Sequence, residues 1–342
     1  MDEYQDLLRI SAATAGNDHR LGAHEAPPAV ISIFLGDELS AVIDALETDT
    51  HYDPKESTQL KLGVDVLPRL PKDNTDRNRT SPFAFTGNKF EFRMVGSSNS
   101  IADSNIVLNT AVAESLRQFA DVLERAEDFR IELNHLIRDT IRRHKRIIFN
   151  GNGYDDAWIR EATEERGLLN LRTTPDAMPY FLAAKNVRLF ATHRVYTEKE
   201  MKSRYEIILE NYCKTIRIEA ATMVDMVYKQ ILPAISAYTK EIAETGAAKK
   251  ALFDGMDTSY EVETARTLSG LTTAIAGSVR KLEEELAGLD EITDVTNLAF
   301  TIKDRVIAAM NELRASVDAA EHITAAKYWP YPTYSELLFG VR

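Results

Sequence analysis

The chain has 342 residues, 44% hydrophobic and 27% charged, which is the composition of an ordinary folded protein with room for two domains. Its net charge of −12 argues against nonspecific nucleic-acid binding, and no apolar run approaches the length of a membrane span. The single cysteine, Cys213, and an N-terminus unlike a secretion signal predict a buried thiol in a cytoplasmic protein.

The first 82 residues alternate between short periodic segments and polar loops. Residues 3–14 predict a helix, and residues 16–28, rich in Gly, Asn and Pro, predict a loop. The apolar residues 29–35 indicate a buried strand, while residues 37–47 have the spacing of an amphipathic helix. Four prolines make residues 48–82 an extended connector.

The loop at residues 16–28 concentrates ionisable side chains. Asp18, His19, Arg20, His24 and Glu25 fall within eight residues, and the loop ends in a rigid Ala-Pro-Pro. Polar loops on stiff anchors often carry catalytic groups, although a solvated turn is the alternative. The two histidines are expected to bond neighbouring backbone rather than to ligate a metal.

A second polar block alternates charged and aromatic residues. Lys89-Phe-Glu-Phe-Arg93 predicts a short strand with one polar face and one buried aromatic face. Its polar face presents Lys89, Glu91 and Arg93 in one row. A carboxylate can hold a divalent cation and the flanking cations can meet phosphate oxygens. The alternative is an edge strand whose charges neutralise one another.

From Asp103 onward the pattern becomes helical. Residues 105–125 and 128–146 have apolar residues at three-and-four spacing. The basic cluster at residues 138–146 lies at the end of the second of these helices, where cations complement the helix dipole. We therefore interpret it as a solvated or subunit-facing helix end, with a phosphate site as the weaker alternative.

Long helices follow in the C-terminal part. Residues 197–200 and 258–261 have the sequence of capping boxes and predict two helix starts, the first helix being kinked or broken at Pro233. Residues 291–327 predict a third helix. Long helices joined by short loops favour a bundle. The aromatic tail at residues 328–339 is expected to dock in extended form on its own chain or on a neighbouring subunit.

In this order and separation, the polar blocks resemble glutamine synthetase. That family has an Arg-Leu segment, a Glu-Ala-Pro loop, an Asn-Arg-Ser/Thr segment and a basic-x-Glu-x-Arg strand. Here they correspond to Arg20-Leu21, Glu25-Ala26-Pro27, Asn78-Arg79-Thr80 and Lys89-x-Glu91-x-Arg93. Five segments resemble the sequences of the large type III branch: residues 17–22, 31–36, 81–93, 146–154 and 328–334.

The resemblance implies an α+β fold. Residues 1–115 would be the C-terminal portion of a catalytic barrel with few strands, and residues 116–342 a predominantly helical bundle region with its docking aromatic tail. Only the C-terminal half of the family protein has a counterpart here, without the upstream strands that supply most metal ligands. We therefore expect the isolated chain to be incomplete and inactive, with apolar residues of 29–35 and 90–92 uncovered.

The resemblance also implies ligation of glutamate and ammonium, driven by ATP through a γ-glutamyl phosphate, with Mg²⁺ or Mn²⁺ as cofactor. It suggests a homo-oligomer of stacked hexameric rings, with no nucleic-acid or membrane partner. The alternative is a catalytically inactive remnant that serves as a helical assembly or regulatory module.

By motif match, three residues would act on the substrates. Glu25 would close over the acyl phosphate and take the ammonium proton. Arg93 would neutralise the transferring phosphoryl group, and Arg20 would hold the carboxylate of the substrate glutamate.

Three further residues would bind ATP and metal. Arg79 and Lys89 would contact the nucleotide, and Glu91 would ligate the divalent ion. The sequence departs from the common types near Ala84, where an apolar segment replaces an arginine, so one phosphate contact must come from elsewhere.

Overall fold

A computed structural model describes residues 1–23, 26–52 and 80–340, together with the backbone of residues 59–60 and 70–71. Glu25 and Arg79, two of the predicted site residues, lie outside the described residues, as does His24. None of the helices in this part of the chain combines the length and the apolar character needed to cross a lipid bilayer.

The described residues form short strands and many helices, so the predicted α+β class is confirmed. The strands are β1 (Ile33–Phe34), β2 (Gln59–Leu60), β3 (Leu70–Pro71), β4 (Phe83–Phe85) and β5 (Phe90–Phe92). The first eight helices are α1 (Gln5–Ile10), α2 (Ala15–Arg20), α3 (Gly36–Thr48), α4 (Ala102–Leu123), α5 (Phe129–His144), α6 (Asp156–Arg160), α7 (Thr174–Ala177) and α8 (Ala184–Thr192). The others are α9 (Glu198–Met226), α10 (Leu232–Leu252), α11 (Ser259–Ala287), α12 (Val295–Thr301), α13 (Ile307–Ile323) and α14 (Tyr334–Phe339).

The chain divides into two compact units, residues 1–208 and 209–342. Within the described residues, the first unit contains every strand and the second is helical. The predicted division between residues 115 and 116 separates family segments rather than compact units, so it stays a prediction.

The N-terminal helices differ from the sequence prediction. Residues 3–14 do not form one helix: α1 ends at Ile10, and α2 occupies part of the predicted loop. The Thr14 side chain accepts a hydrogen bond from the backbone N–H of Asn17 and so caps α2. Gly16, expected to stop a helix, lies inside α2 instead, because the cap at Thr14 starts a new helix just before it.

The first unit contains a three-stranded sheet in the order β1-β4-β5. Strand β1 pairs with β4 in parallel, and β4 pairs with β5 in antiparallel register. Strands β2 and β3 pair with each other in a separate antiparallel ladder. The strand predicted at residues 89–93 is confirmed as β5, Phe90–Phe92, and within the described residues it lies at the edge of its sheet.

The residues around β1 are better covered than expected. Val30 and Ile31 are almost wholly buried, and Val30 packs with Trp158, Ala162 and Leu168. The expectation that residues 29–35 would be uncovered is therefore wrong, because the segment around α6 supplies an apolar cover. The ring of Trp158 is stacked on that of Phe149, which carries the chain back beside β1.

The aromatic face of β4 and β5 is the less covered face of the sheet. Phe83, Phe85, Phe90 and Phe92 pack on one another with ring centroids 5.2 to 6.0 Å apart. Phe90 is nevertheless 48% exposed, whereas Ala84, on the charged face, is fully buried. The prediction of a buried aromatic face is therefore wrong for Phe90, since the rings of Phe83 and Phe85 cover it only in part. The expectation that residues 90–92 would be uncovered is confirmed at Phe90.

Helices α4 and α5 confirm the predictions for residues 105–125 and 128–146 within a few residues. On α4 the carboxylate of Glu114 accepts hydrogen bonds from Arg117 (2.8 and 3.0 Å) and from Gln118 (2.8 Å). It also lies 2.8 Å from Nε2 of His193, just beyond α8. These bonds, led by those from Arg117, lower the pKa of Glu114 to about 2. The network fastens α4 to the end of α8.

The second unit is a helical bundle, as predicted, in which α11 packs against both α10 and α13. Fully or nearly fully buried side chains form its seam: Ile235, Tyr238 and Ile242 on α10, Ile275, Val279 and Leu282 on α11, and Ile302, Val306 and Leu313 on the segment ending in α13. Cys213 is also buried, and this burial raises the pKa of its thiol to about 11.

Two helix signals had different outcomes. Thr197 and Glu200 form the predicted capping box before α9. The second box does not form, because Oε1 of Glu261 binds Nζ of Lys249 at 2.6 Å and the Thr258 side chain makes no capping bond. A local sequence signal therefore yields where a tertiary partner competes for the same carboxylate.

Pro233 does not break the helical path. A π-helical turn, Val227–Ile231, precedes α10, and the proline occupies the first turn of that helix. Proline has no N–H to donate, and the change of hydrogen-bond register at the π turn lets the helical path continue without that bond. The predicted kink or break is thus replaced by a π turn.

The aromatic tail docks on its own unit over its first residues. The hydroxyl of Tyr328 donates to Oε2 of Glu241 at 2.6 Å, and the hydroxyl of Tyr331 donates to Gln230 at 2.6 Å. The expected docking is confirmed for this part of the tail. Residues 334–339 form the short helix α14 instead of continuing in extended form, and Tyr334 and Phe339 are exposed.

Candidate functional site

The charged row on β5 is formed as the sequence predicts. Glu91 lies between the two cations, with Oε1 3.5 Å from Nζ of Lys89 and Oε2 3.4 Å from Nη2 of Arg93. The side chains become more buried along the strand, from 67% exposed at Lys89 through 39% at Glu91 to 15% at Arg93. The row therefore offers one exposed cation and one largely buried guanidinium, with a carboxylate between them.

The partner strand β4 places a small side chain beside the row. Ala84 on β4 is directly opposite Glu91, so the two side chains share a face of the sheet. A methyl group at this position leaves the carboxylate without a bulky cross-strand neighbour. The Ala84 segment, which departs from the common family pattern, is thus the direct cross-strand neighbour of the charged row.

Arg20 reaches the end of the same strand from α2. Its Nη1 donates to the carbonyl of Met94 at 2.9 Å and to Oδ1 of Asn17 at 3.1 Å, and its Nη2 donates to the carbonyl of Arg93 at 3.4 Å. The structure thereby brings Arg20 together with the row at residues 89–93. These bonds fix the backbone that carries Arg93, while a role toward a substrate carboxylate stays a prediction.

Asn17 is a positioning residue that the sequence reasoning missed. Its Nδ2 donates to the carbonyls of Ala12 (2.7 Å) and Met94 (2.9 Å), while its Oδ1 accepts from Arg20. The side chain is buried. The segment was predicted to be a loop, which provided no reason to place Asn17 beside Arg20. On a helix, residues three apart are neighbours.

A buried ion pair between Arg9 and Asp18 anchors α2. Nη2 of Arg9 donates to Oδ1 of Asp18 at 2.8 Å, and Thr174 donates to the same carboxylate through its N–H at 2.6 Å and its hydroxyl at 3.1 Å. Burial raises the pKa of Asp18, and the guanidinium and the Thr174 donors oppose that rise. The pair was not predicted, since its partners fall in two separate helices and Thr174, which also binds Asp18, is 156 residues away in the sequence.

The described residues do not by themselves fit a metal ion. Among them, no three His, Cys, Asp or Glu side chains come together in an arrangement that could hold one. Glu91 is one oxygen-bearing ligand, flanked by two cations, and a Mg²⁺ ion needs a nearly octahedral set of oxygens. Glu91 could therefore contribute to a site but could not make one.

Two of the predicted site residues and one of the two loop histidines, His24, lie outside the described residues. Glu25 and Arg79 lie outside the described residues, so their roles stay predictions. His19, on α2, is exposed, and it forms no part of a metal cluster within the described chain. The geometry thus assembles Arg20, Lys89, Glu91 and Arg93 from the six predicted site residues.

Together, the fold and the charged row define an α+β protein with a candidate phosphate-binding strand at a sheet edge. Residues 132–250 match the family model described as the glutamine synthetase C-terminal domain. The chain is also 42% identical over 346 residues to a type-3 glutamine synthetase of Dictyostelium discoideum, covering 99% of this chain and 47% of that protein.

Two bacterial relatives give the same result. A glutamine synthetase of Butyrivibrio fibrisolvens is 40% identical over 347 residues, covering 100% of this chain and 49% of the relative. One of Bacteroides fragilis is 35% identical over 348 residues, covering 98% and 47%. The chain is thus similar to glutamine synthetases over 98 to 100% of its own length, and it spans about half the length of the curated relatives that it matches.

Proposed function

We propose that this chain contributes part of the active site for ATP-dependent ligation of glutamate and ammonia to glutamine through a γ-glutamyl phosphate. The observation that supports this most strongly is the row Lys89, Glu91 and Arg93 with Arg20 fastened to its end, in a chain related over its whole length to glutamine synthetases. Residues 1–115 would be the C-terminal portion of a catalytic barrel, and residues 116–342 the helical region that follows it.

The cations of the row would bind the anionic groups of the reaction. Arg93 is 15% exposed and its guanidinium is oriented by Glu91, so it can meet a transferring phosphoryl group with little reorganisation. Lys89, on the exposed side, would contact ATP together with Arg79. Positioned cations of this kind supply most of the catalysis of phosphoryl transfer, because the charge of the transferring group must be neutralised.

Arg20 would serve two purposes. Its Nη1 and Nη2 donors already hold the carbonyls of Arg93 and Met94, which fixes the direction of the strand. The remaining donors of its guanidinium would bind the carboxylate of the substrate glutamate. Glu25, by motif match, would accept the proton of ammonium so that the neutral amine can attack.

Glu91 would contribute one carboxylate to a Mg²⁺ or Mn²⁺ site completed by oxygens from outside the described residues. A bound divalent ion would offset the charge of the polyphosphate. A homo-oligomer in stacked hexameric rings, in the cytoplasm, also follows from the resemblance alone.

The proposal can be tested in a chimera. The chain would be fused behind the unmatched segment of the Dictyostelium type-3 relative, and γ-glutamyl transfer would be measured with Mn²⁺ and ATP or ADP. We expect activity in the chimera that falls at least about a hundredfold in Arg93→Gln, as loss of a charge-neutralising group should. Equal activity in the chimera and in that variant would refute the role of the charged row.

A further inference from the structure

A second basic site lies in the first unit, formed by none of the predicted site residues. It is a cavity of about 620 Å³ between α3, the C-terminal end of α5 and the segment that follows α5. Five of its lining residues are cations, and two, Asp44 and Glu47, are carboxylates. The cations are Arg142, Arg143, Lys145, Arg146 and Arg166.

Three of the five cations are neutralised in place. Each makes a short ion pair: Lys145 with Glu47 at 2.8 Å, Arg146 with Asp2 at 3.0 Å, and Arg166 with Glu161 at 2.5 Å. Arg166 also donates to the carbonyl of Ile148 at 2.8 Å. These three side chains are therefore the fixed wall of the cavity rather than its free binding groups.

The other two cations are not neutralised. Nη2 of Arg142 donates to the backbone carbonyl of Glu47 at 3.1 Å, which orients the guanidinium without offsetting its charge. Arg143 has no ion pair or hydrogen bond within the part of the chain that the structure describes. Asp44 is a single exposed carboxylate against these two guanidinium groups. The cavity therefore keeps an excess of positive charge.

A neutral donor completes the site. Nδ2 of Asn150 donates to Oγ of Ser40 at 2.8 Å, and Oδ1 of Asn150 accepts from the N–H groups of Leu35 and Gly36 at the start of α3. Because the Ser40 oxygen already accepts a bond, its hydroxyl hydrogen is left to donate into the cavity. Asn150, fixed at both ends of its amide, holds Ser40 in this role.

We propose that the cavity binds a diphosphate group, either as inorganic diphosphate or as part of a nucleotide, through Arg142, Arg143 and Ser40. Planar guanidinium groups match phosphate oxygens in a two-pronged geometry, and a diphosphate presents enough oxygens for two arginines and a hydroxyl. The volume leaves room for a nucleoside beside it. This site is separate from the row on β5 and does not rest on the proposed reaction.

The first test is calorimetry of the full chain with inorganic diphosphate in metal-free buffer. All proteins would carry Lys89→Gln/Arg93→Gln, which removes both cations of the β5 row. We expect the double variant Arg142→Gln/Arg143→Gln to weaken binding by about tenfold or more, as loss of two charge-assisted contacts should. Arg130→Gln, which removes one exposed cation from the same helix, should stay within about twofold. Equal affinity in the double variant, or no binding to the unsubstituted cavity, overturns the proposal.

A second measurement uses the unsubstituted chain and does not depend on the folding of any variant. Phenylglyoxal modification of arginines, read by mass spectrometry, should be slowed by diphosphate at Arg142 and Arg143 but not at Arg130. Unchanged modification at both positions refutes the site. Comparing ADP with diphosphate then identifies the source: tighter binding of ADP points to a nucleotide, and equal binding to the free anion.

Discussion

The guanidinium of Arg9 and the carboxylate of Asp18 form an ion pair 2.8 Å long with side chains only 1% and 10% exposed. Arg9 is further anchored on the carbonyls of Leu171 (2.7 Å) and Arg172 (3.0 Å), while Asp18 accepts from Thr174. The pair therefore connects the N-terminal helices to the segment that begins α7. Because Asp18 lies on α2, the same contact sets the position from which Arg20 reaches the charged row.

Asp18→Asn should destabilise the first unit by about 3 kcal/mol, because it leaves a buried guanidinium without its counter-charge. The measurement is the free energy of unfolding in urea, followed by circular dichroism. Glu198→Gln is the control: it removes an exposed pair with Lys202 and should leave the free energy of unfolding almost unchanged. Equal stability of the two variants would show that the buried pair is not a structural anchor.

In the chimera, Glu25→Ala should leave ATP binding unchanged and suppress glutamine formation by more than about a hundredfold, as expected for loss of a positioned proton acceptor. ATP binding would be followed by fluorescence of a nucleotide analogue, and product by γ-glutamyl hydroxamate formation. Unaltered turnover in this variant would remove Glu25 from the mechanism.

Glu91→Gln should raise the Mn²⁺ concentration needed for half-maximal activity of the chimera by about tenfold or more, because an amide is a poorer ligand for a divalent ion than a carboxylate. The measurement is a metal titration of γ-glutamyl transfer. Glu38→Gln, an exposed change of the same charge on α3, should leave the titration unaltered. A shared shift in both variants would mean that net charge, and not ligation, is responsible.

Glu114 should give the first unit an acid-sensitive component of stability. Its pKa falls from 4.5 to about 2 in the folded chain, chiefly through hydrogen bonds from Arg117. A carboxyl with a depressed pKa stabilises the fold fully above its unfolded value and loses that contribution as the pH falls from 4.5 toward 2. Glu114→Gln should therefore be less stable than the unsubstituted chain at pH 6, with a smaller difference at pH 3.

The check is the urea midpoint of both proteins at the two pH values. Glu124→Gln, an exposed position near the end of the same helix, serves as the control and should show no such change between pH 6 and pH 3. A difference at Glu114 that is the same at both pH values would contradict the assigned pKa shift.

Cys213 should be inert in the folded chain at pH 8. Burial raises the pKa of its thiol to about 11, so almost none of the reactive thiolate is present, and the side chain is only 3% exposed. Mass spectrometry after iodoacetamide treatment should find it unlabelled in native buffer and fully labelled in urea. Rapid labelling of the native chain would place the thiol at the surface.

The sequence predicted those parts of the site that depend on a short-range pattern. Period-2 alternation was sufficient for the strand at Lys89–Arg93, since a pleated strand brings alternate residues to one face. The pattern could not say which face would be covered. The buried position is Ala84 and the exposed one is Phe90, because cover depends on elements that pack from elsewhere in the chain.

The missed features share a physical cause. Asn17 and Asp18 act through the carbonyl of Met94 and through Arg9 and Thr174, contacts that join segments up to 156 residues apart in the chain. The capping box at Thr258 failed for the same reason, since Lys249 competes for its glutamate. Local propensity describes the backbone well, whereas long-range polar partners redirect individual side chains.

The two tryptophans of the chain fall one in each compact unit, and their surroundings differ. Trp158 is 2% exposed, stacked on Phe149 at 3.7 Å and covered by the guanidinium of Arg166 at 4.9 Å, whereas Trp329 is half-buried in the docked tail. Each indole is thus an optical reporter of one unit. Replacing one of them by phenylalanine would let emission follow the unfolding of the other unit alone, and so decide whether the two units melt together or in succession.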